Sequence, residues 1–324
     1  MKKIVIDTLG SDKGEEELVL GAIQAKKKHP DITFVFSGNK KNIERILDRE
    51  KEEISSYILI PSVVFDSSID DVMSMIRFKG HCSIIDAYDY AKDDKDVIGI
   101  ISCGSTGMLL VSSLRHLGVF PGISFPVLGT LLYNFKHKYF SLVDCGANIE
   151  VREQKLVQFA SMGSALMRSL YGIESPRVGL LNVGKEENKG DSIRKSAFRL
   201  LKNSELNFIG NLEGSDVFLD KADVITCDGF SGNVVLKTAE AVGMIAMDFA
   251  EKNHDEKTAK QLYDMFAYNE LGGAILLGTK KLVFKGHGAS NRKTIVSIVD
   301  VIDKLNQNNF LENLKKEVAI EKAI

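Results

Sequence analysis

The feature that most constrains the fold is a repeated order of apolar run, polar glycine-containing loop and amphipathic helix. Residues 177–195 give the clearest example. Residues 178–183 are apolar, as a strand buried on both faces must be, and a charged loop follows that ends at Gly190. Asp191 or Ser192 then suits the N-cap of a helix whose apolar residues recur at helical spacing. This order predicts a strand, a loop and a helix, the unit from which parallel sheets are built.

The same order recurs along most of the chain. Its alternation of strands and helices predicts an α/β fold with a largely parallel sheet covered on both faces. No repeat or Pro/Gly-rich linker marks a boundary, so we expect a single domain over 1–324, with a helical excursion near 234–269. The expected strands are 4–7, 33–37, 97–102, 127–132, 139–143, 178–183, 207–210, 224–226 and 282–284.

The composition indicates a globular protein of balanced charge. The 324 residues are 44% hydrophobic, which is enough to fill a substantial core. Lys and Arg number 42 against 44 Asp and Glu, a formal net charge of -2 that does not suggest a nucleic-acid partner. No apolar run approaches a membrane span, and the N-terminus enters a strand without a signal-peptide core, so we expect a cytoplasmic protein.

The four cysteines suggest neither a metal site nor a catalytic thiol. They form no C-x-x-C pair and show no metal-ligand spacing, and three of them end apolar runs. We therefore expect Cys82, Cys103, Cys145 and Cys227 to be small buried side chains.

Glycine mixed with Asp, Asn, Ser or Thr follows most of the predicted strands. Glycine lets the backbone approach a ligand closely, so successive N–H groups can converge on an anion. We expect these loops to line one cleft at the carboxyl edge of the sheet, although each alone also fits an ordinary tight turn. The glycines are Gly10, Gly104, Gly146, Gly184, Gly229 and Gly286.

Lys189 lies in the loop between the strand at 178–183 and the next helix. An anion there would meet a full positive charge and the unpaired N–H groups of a helix N-terminus. The alternative for this loop alone is a solvated turn whose Lys and Glu residues serve solubility.

Several familiar catalytic motifs are absent from the sequence. It contains no G-x-G-x-x-G, no G-x-x-x-x-G-K-[ST], no H-E-x-x-H and no G-x-S-x-G. Of the six histidines, only His287 lies between glycines at a strand end. An anion-binding cleft without an evident serine or cysteine nucleophile suits a reaction in which the anion itself attacks.

Seven segments, taken in chain order, resemble one known family. No single segment is decisive, but together they cover nearly the whole chain and closely resemble the bacterial phosphate acyltransferases of phospholipid synthesis, the PlsX family. The segments are 142–148, 158–163, 177–190, 207–214, 227–238, 271–273 and 286–288.

The resemblance implies that inorganic phosphate attacks the thioester between a fatty acyl chain and acyl carrier protein. The products would be free carrier and acyl phosphate, which would feed the acylation of glycerol 3-phosphate. It also implies a three-layer α/β/α fold like that of isopropylmalate and isocitrate dehydrogenases, a homodimer, and peripheral contact with the inner membrane face. The implied partners are acyl carrier protein, phosphate, a second copy of the chain and an acyl-phosphate glycerol 3-phosphate acyltransferase. No cofactor and no metal is expected.

The expected catalytic residues are Lys189, Asn233 and His287. Phosphate would be held by backbone N–H groups of the 104–107 loop and by Lys189. Asn233 or Lys189 would donate to the tetrahedral oxyanion, and His287 would protonate the leaving thiolate or contact phosphate. The residues expected to bind phosphate or the acyl group are Asp7, Gly10, Gly104, Ser105, Thr106, Gly107, Asn148, Gly184, Asp228, Gly229 and Gly232.

Three positions depart from the family pattern. Ser11 stands where the family has Gly, Ser105 where it has Asn, and Cys82 where it has Ser. We interpret them as drift in an active enzyme. The alternatives are a non-catalytic scaffold that binds acyl carrier protein or membrane, and a phosphate acyltransferase that uses coenzyme A. A dehydrogenase is supported by fold analogy alone.

Two predicted helices carry apolar faces that could meet the core, a partner subunit or lipid. We expect the core or a dimer interface before lipid. The residues are Val242, Ile245, Met247 and Phe249, then Leu262, Met265 and Phe266.

Overall fold

The computed structural model describes residues 1–64, 74, 77, 80–266 and 273–321, without the side chains of 263–265 and 319–321. The described residues fall into two compact units. The first comprises those within 1–120, 124–126 and 269–307, and the second those within 121–123, 127–268 and 308–324. The expectation of a single domain stays a prediction.

The first unit contains six strands in the order β3-β2-β1-β4-β11-β10. All neighbours pair in parallel except β10 and β11, which are antiparallel. The strands are β1 (Lys2–Asp7), β2 (Ile32–Gly38), β3 (Ile58–Pro61), β4 (Val97–Ser102), β10 (Ala274–Leu277) and β11 (Leu282–Lys285).

Five helices accompany these strands. A π-helical turn, Ser113–Leu117, extends the fourth of them. The helices are α1 (Glu15–Lys28), α2 (Lys40–Arg49), α3 (Ser83–Asp93), α4 (Thr106–Ser112) and α9 (Arg292–Gln307).

The second unit contains five strands in the order β5-β6-β9-β7-β8. Strands β6, β9, β7 and β8 pair in parallel, whereas β5 is antiparallel to β6. The strands are β5 (Val127–Tyr133), β6 (Tyr139–Val143), β7 (Val178–Leu181), β8 (Phe208–Leu212) and β9 (Val224–Thr226).

Five helices also belong to the second unit. Gly172, expected to end the first of them, adopts the left-handed conformation that favours glycine. The helices are α5 (Glu153–Tyr171), α6 (Ser192–Lys202), α7 (Gly229–Lys252), α8 (Glu256–Phe266) and α10 (Phe310–Glu321).

The strands are buried on both faces. Successive side chains of a strand point to opposite faces, and Ile4, Val5 and Ile6 of β1 are all fully buried. Every residue of β7 is buried as well. Helices must therefore cover both faces, which confirms the predicted three-layer α/β/α fold with a largely parallel sheet.

The predicted helical excursion is corrected at its start. We expected a loop up to Asn233, but α7 begins at Gly229 because Asp228 is its N-cap and accepts a hydrogen bond from the Ser231 N–H at 2.8 Å. Helices α7 and α8 then extend to Phe266, and residues 267–269 lie outside the described part of the chain. The same holds for residues 271–272 of the family resemblance.

Among the described residues, none of the helices is both long and apolar enough to cross a membrane.

Candidate active site

In the first unit, the loops that follow three parallel strands, β1, β4 and β11, lie against one another. A Cβ on Gly10 would come 2.5 Å from the backbone N and Cα of Gly104, so only glycine permits this approach. The Gly288 carbonyl accepts hydrogen bonds from the Asp12 N–H at 2.9 Å and the Ser11 hydroxyl at 3.1 Å. Ser11, one of the departures from the family pattern, therefore helps to hold two of these loops together.

Asp7 lies beneath the 104–107 loop and shapes it. The buried Ser102 hydroxyl donates to Asp7 Oδ2 at 2.7 Å and accepts from the Gly104 N–H at 3.2 Å. The Leu9 N–H donates to Asp7 Oδ1 at 3.3 Å. Burial raises the pKa of Asp7 even though these hydrogen bonds oppose the shift. The predicted binding residue Asp7 is thus connected to the loop through the Ser102 hydroxyl.

The predicted phosphate loop begins helix α4. Ser105 is the N-cap, and its hydroxyl accepts a hydrogen bond from the Met108 N–H at 3.4 Å. The N–H groups of Thr106 and Gly107 belong to the first turn, where they have no partner within the helix. Ser105 retains its hydroxyl hydrogen for donation, so the replacement of the family's Asn preserves a donor at the loop.

His287 is fixed by its own loop. Its Nδ1 accepts from the Ala289 N–H at 3.1 Å, and its carbonyl accepts from the Ser290 N–H at 2.9 Å. When the imidazole is neutral, its proton is therefore on Nε2, which can donate.

In the second unit, the loop after β6 is organised by Asp144. This buried carboxylate accepts hydrogen bonds from the N–H groups of Gly146 and Ala147, both at 2.9 Å, and of Asn148 at 2.7 Å. The Asn148 side-chain amide adds a fourth at 2.8 Å. Burial raises the pKa of Asp144 against these four hydrogen bonds, which favour the carboxylate.

The first turn of α7 packs on the 144–148 loop. The Gly229 N–H donates to the Asn148 carbonyl at 2.7 Å. The backbone of Gly232 lies so close to the Asp144 carbonyl that no Cβ could fit. A Cβ on Gly146 would lie 3.7 Å from Asn233 Oδ1. Four predicted site residues, Asn148, Gly229, Gly232 and Asn233, are thus brought together.

Arg194 connects the loop after β7 to this cluster. Its guanidinium contacts the Asp228 carboxylate, the Ser231 hydroxyl at 3.0 Å and Asp191 at 2.5 Å. It also donates to the Leu181 carbonyl at 3.4 Å. Asp191 is the N-cap of α6, as predicted, and accepts from the Arg194 N–H at 2.8 Å. The loops after β6, β7 and β9 therefore meet in one place.

Lys189 is exposed at the surface of the loop after β7. The Asn182 side chain holds this loop, donating to the Lys189 carbonyl at 3.2 Å and accepting from the Val183 N–H at 2.8 Å. A Cβ on Gly184 would come 2.9 Å from Lys189 Cγ. No carboxylate in the described part of the chain pairs with the Lys189 ammonium, which leaves it available to an anion.

The predicted site residues fall into two groups, one in each unit. The first unit holds Asp7, Gly10, Gly104–Gly107 and His287, and the second holds Asn148, Gly184, Lys189, Asp228, Gly229, Gly232 and Asn233. Within each unit the loops carrying these residues contact one another. That both groups serve one reaction stays a prediction from the sequence.

Three residues important to these loops were missed: Ser102, Asp144 and Arg194. The run Asp-Cys-Gly-Ala-Asn gave a signal for Asp144, because an Asp followed by small residues often bonds the backbone two residues on. Arg194 gave none, since its partner Asp228 is 34 positions away.

A cavity of about 550 Å³ in the second unit lies apart from the candidate site. It is lined by residues of α5, α6 and α10, among them Gln158, Leu200 and Val318, and by none of the predicted site residues. Its Arg168–Glu317 ion pair, at 2.6 Å, connects α5 to α10.

The four cysteines are buried and free, as predicted. Burial raises the pKa of Cys82 and of Cys103 to about 11, and raises that of Cys145 and Cys227 well above the usual value. These thiols are protonated at neutral pH, so they are poor nucleophiles.

Comparison with known proteins assigns the family. A family model described as fatty acid synthesis protein matches residues 2–313. A phosphate acyltransferase from Halothermothrix orenii is 32% identical over 330 residues, covering 98% of this chain and 98% of that protein. The chain belongs to the phosphate acyltransferase family. As a member of that family it is an acyltransferase, and the resemblance seen in the sequence is confirmed.

Solved structures support the same fold for this family member. A phosphotransacetylase from Streptococcus pyogenes superimposes with a TM-score of 0.66 at 17% identity, covering 94% of each chain. A protein from Salmonella typhimurium assigned as a 4-hydroxythreonine-4-phosphate dehydrogenase gives a TM-score of 0.51 at 14% identity, covering 94% of this chain and all of that one. At these identities the likeness concerns the fold, and it supports the expected dehydrogenase-like architecture.

Proposed function

We propose that this protein transfers a fatty acyl group from the thioester of acyl carrier protein to inorganic phosphate. A phosphate oxygen attacks the thioester carbon, the carbon–sulfur bond breaks, and the carrier thiolate leaves and takes up a proton. The products are acyl phosphate and free carrier. The observation that carries the proposal is the match, over nearly the whole chain, to a phosphate acyltransferase.

The phosphate would bind to backbone N–H groups that have no hydrogen-bond partner within their helix. The first turn of α4 offers those of Thr106 and Gly107, and the Ser105 hydroxyl can add a donor. Asp7 and Ser102 would act indirectly, because their hydrogen bonds fix the Gly104 backbone. Preorganised donors of this kind need no rearrangement as the phosphate attacks.

Lys189 and Asn233 would stabilise negative charge. Lys189 has an exposed ammonium on a loop held by Asn182, and Asn233 lies beside the glycine-containing 144–148 loop. One of these two donors would stabilise the oxyanion of the tetrahedral intermediate. Asp228 would support them rather than bind substrate, because Ser231 and Arg194 already occupy its carboxylate.

His287 would protonate the departing thiolate or contact phosphate through Nε2. The Nδ1 atom accepts a backbone hydrogen bond, so Nε2 is the ring nitrogen that carries the proton in the neutral form. A thiolate is a good leaving group, so this contribution is smaller than that of the oxyanion donor.

The proposed partners include a second copy of the chain, the membrane surface and a glycerol 3-phosphate acyltransferase that consumes the acyl phosphate. Val242, Ile245 and Phe249 of α7 are exposed, so they do not belong to the core of this chain. Phe266 of α8 instead packs against Gly243. An exposed apolar helix face supports contact with another subunit or with lipid.

A hydroxylamine trap tests the reaction directly. Purified protein is supplied with palmitoyl–acyl carrier protein, with and without phosphate, and acyl hydroxamate is measured. We expect hydroxamate to form much faster when phosphate is present, because hydroxylamine captures acyl phosphate faster than it cleaves the thioester. A parallel arm uses palmitoyl-coenzyme A.

Each alternative predicts a different outcome of this trap. A clear preference for the coenzyme A thioester would replace the proposed donor while retaining acyl transfer to phosphate. If phosphate does not increase hydroxamate formation with either donor, and the protein still binds acyl carrier protein, the result would support the scaffold and contradict the proposal.

A further inference from the structure

Four large apolar side chains are exposed beside the polar loops of the second unit. The exposed fractions are 58% for Ile149, 78% for Val183, 61% for Phe230 and 49% for Val234. Each directly follows a polar or glycine residue of the candidate site: Asn148, Asn182, Gly229 or Asn233. We name these four residues the apolar rim.

Hydrogen bonds bring two members of the apolar rim together. The Gly229 N–H donates to the Asn148 carbonyl at 2.7 Å. Phe230 and Ile149 are the residues that follow this bonded pair, Phe230 in the first turn of α7 and Ile149 at the end of the 144–148 loop. Their side chains therefore project from two adjoining backbone segments.

Arg194 brings the loop that carries Val183 to the same place. It donates to the carbonyl of Leu181, two residues before Val183, and contacts Asp228 and Ser231 on either side of Phe230. Val183 is itself held by the hydrogen bond of its N–H to the Asn182 side chain at 2.8 Å. Val234 completes the rim one turn along α7 from Phe230.

The proposed acyl transfer requires a surface for the acyl chain next to the polar donors. The reacting carbonyl must reach the polar donors, so the hydrocarbon chain attached to it has to leave across the surface next to them. A hydrocarbon chain lying on polar surface would gain little binding free energy. A chain lying on exposed apolar side chains removes its own apolar surface and theirs from water, which favours binding.

We propose that the apolar rim binds the first part of the donor's acyl chain and sets the enzyme's preference for chain length. This inference rests on the proposed function. The occupant is the saturated hydrocarbon of a long-chain acyl thioester. Contact with it grows with chain length until the rim is covered, so selectivity should rise with each added carbon and then level off.

The test compares Phe230→Ser and Val183→Ser with Leu219→Ser and Ile209→Ser. The control residues are also exposed apolar side chains of the second unit, at 45% and 42%, but they lie outside the three site loops. For each protein, kcat/KM is measured with acyl donors of 4, 8, 12 and 16 carbons at saturating phosphate.

We expect the rim variants to lose on the order of tenfold in kcat/KM with donors long enough to cover the rim, the 16-carbon donor among them, and progressively less with shorter donors. The control variants should keep the wild-type profile. Phe230→Leu should keep most of the long-chain activity that Phe230→Ser loses, because leucine provides an apolar side chain at this position without the aromatic ring.

Two results would overturn the inference: equal losses at every chain length, which indicate a structural role, or unchanged profiles in both rim variants. Sedimentation is run alongside, and a rim variant that becomes monomeric with a length-independent loss would assign the surface to an interface between copies. If wild-type protein forms no acyl phosphate with any donor, the proposed function fails instead.

Discussion

Arg194 connects two helix starts that are distant in sequence. Its side chain is mostly buried and contacts Asp191, the N-cap of α6, and Asp228, the N-cap of α7. Both carboxylates already accept hydrogen bonds from the first turn of their helix. The guanidinium therefore fixes the position of one helix N-terminus relative to the other through side-chain contacts alone.

Replacing Arg194 should destabilise the protein strongly. Arg194→Met leaves the Asp228 carboxylate buried without its cation, and breaking such a pair typically costs about 3 kcal/mol or more. Urea unfolding measures the change in the free energy of unfolding. Arg199→Met, on the exposed side of the same helix, should change it by less than about 0.5 kcal/mol. Equal effects of the two variants would show that the buried Arg194–Asp228 contact contributes nothing to the free energy of unfolding.

At the scale of elements, the sequence pattern predicted most of the strands and the helices behind them. Apolar runs bounded by glycine correctly located β1, β4, β6 and β9, because a strand buried on both faces must be apolar at nearly every position. It missed β10 and α10, and it read 57–64 only as an apolar stretch. Strand β10 is a four-residue run, and so short a run cannot be assigned by periodicity.

The start of α7 was missed because two glycines follow its N-cap and their tertiary contacts cannot be read from the sequence. The run Asp228–Asn233 contains two glycines, which favour a loop by intrinsic propensity. In the structure these glycines are needed where the helix meets the 144–148 loop, at Asn148 and at the Asp144 carbonyl. Close packing thus overrides propensity.

This close contact predicts the effect of adding a single methyl group. Gly232→Ala would place a Cβ against the Asp144 carbonyl, a backbone atom that cannot move without distorting the loop. We expect a loss of about 1–3 kcal/mol in the free energy of unfolding and a parallel loss of activity.

Gly214→Ala is the matched control, because a Cβ there meets nothing within 4 Å. It should leave stability within about 0.5 kcal/mol of wild type and leave activity unaffected. If both variants behave alike, the packing of α7 on the 144–148 loop does not constrain the site.

At the scale of the whole molecule, composition and the alternation of strands and helices were enough to predict the fold class, and the comparisons assign the family. The recurrence of Gly, Asp and Asn at strand ends also led to a set of predicted site residues, whose roles stay a prediction. The sequence could not reveal that Ser102 and Arg194 organise these loops, since each acts through a partner that is distant in sequence. Asp144 differs, because its partners are the residues that directly follow it. Nor could the sequence separate exposed apolar residues such as Phe230 from core residues.

The central claim is that Lys189 provides a positive charge for the phosphate or the oxyanion. The Lys189→Ala variant tests it most directly, with Lys185→Ala as the control. Lys185 belongs to the same loop, but its ammonium pairs with Asp216 at 3.3 Å and Glu213 at 3.5 Å.

Phosphate-dependent acyl phosphate formation is measured for both variants, together with the melting temperature. The account predicts that Lys189→Ala loses roughly 10²–10³ in rate while melting within a few degrees of wild type, and that Lys185→Ala stays within about threefold of wild-type rate. Near-normal acyl phosphate formation by folded Lys189→Ala protein would contradict it.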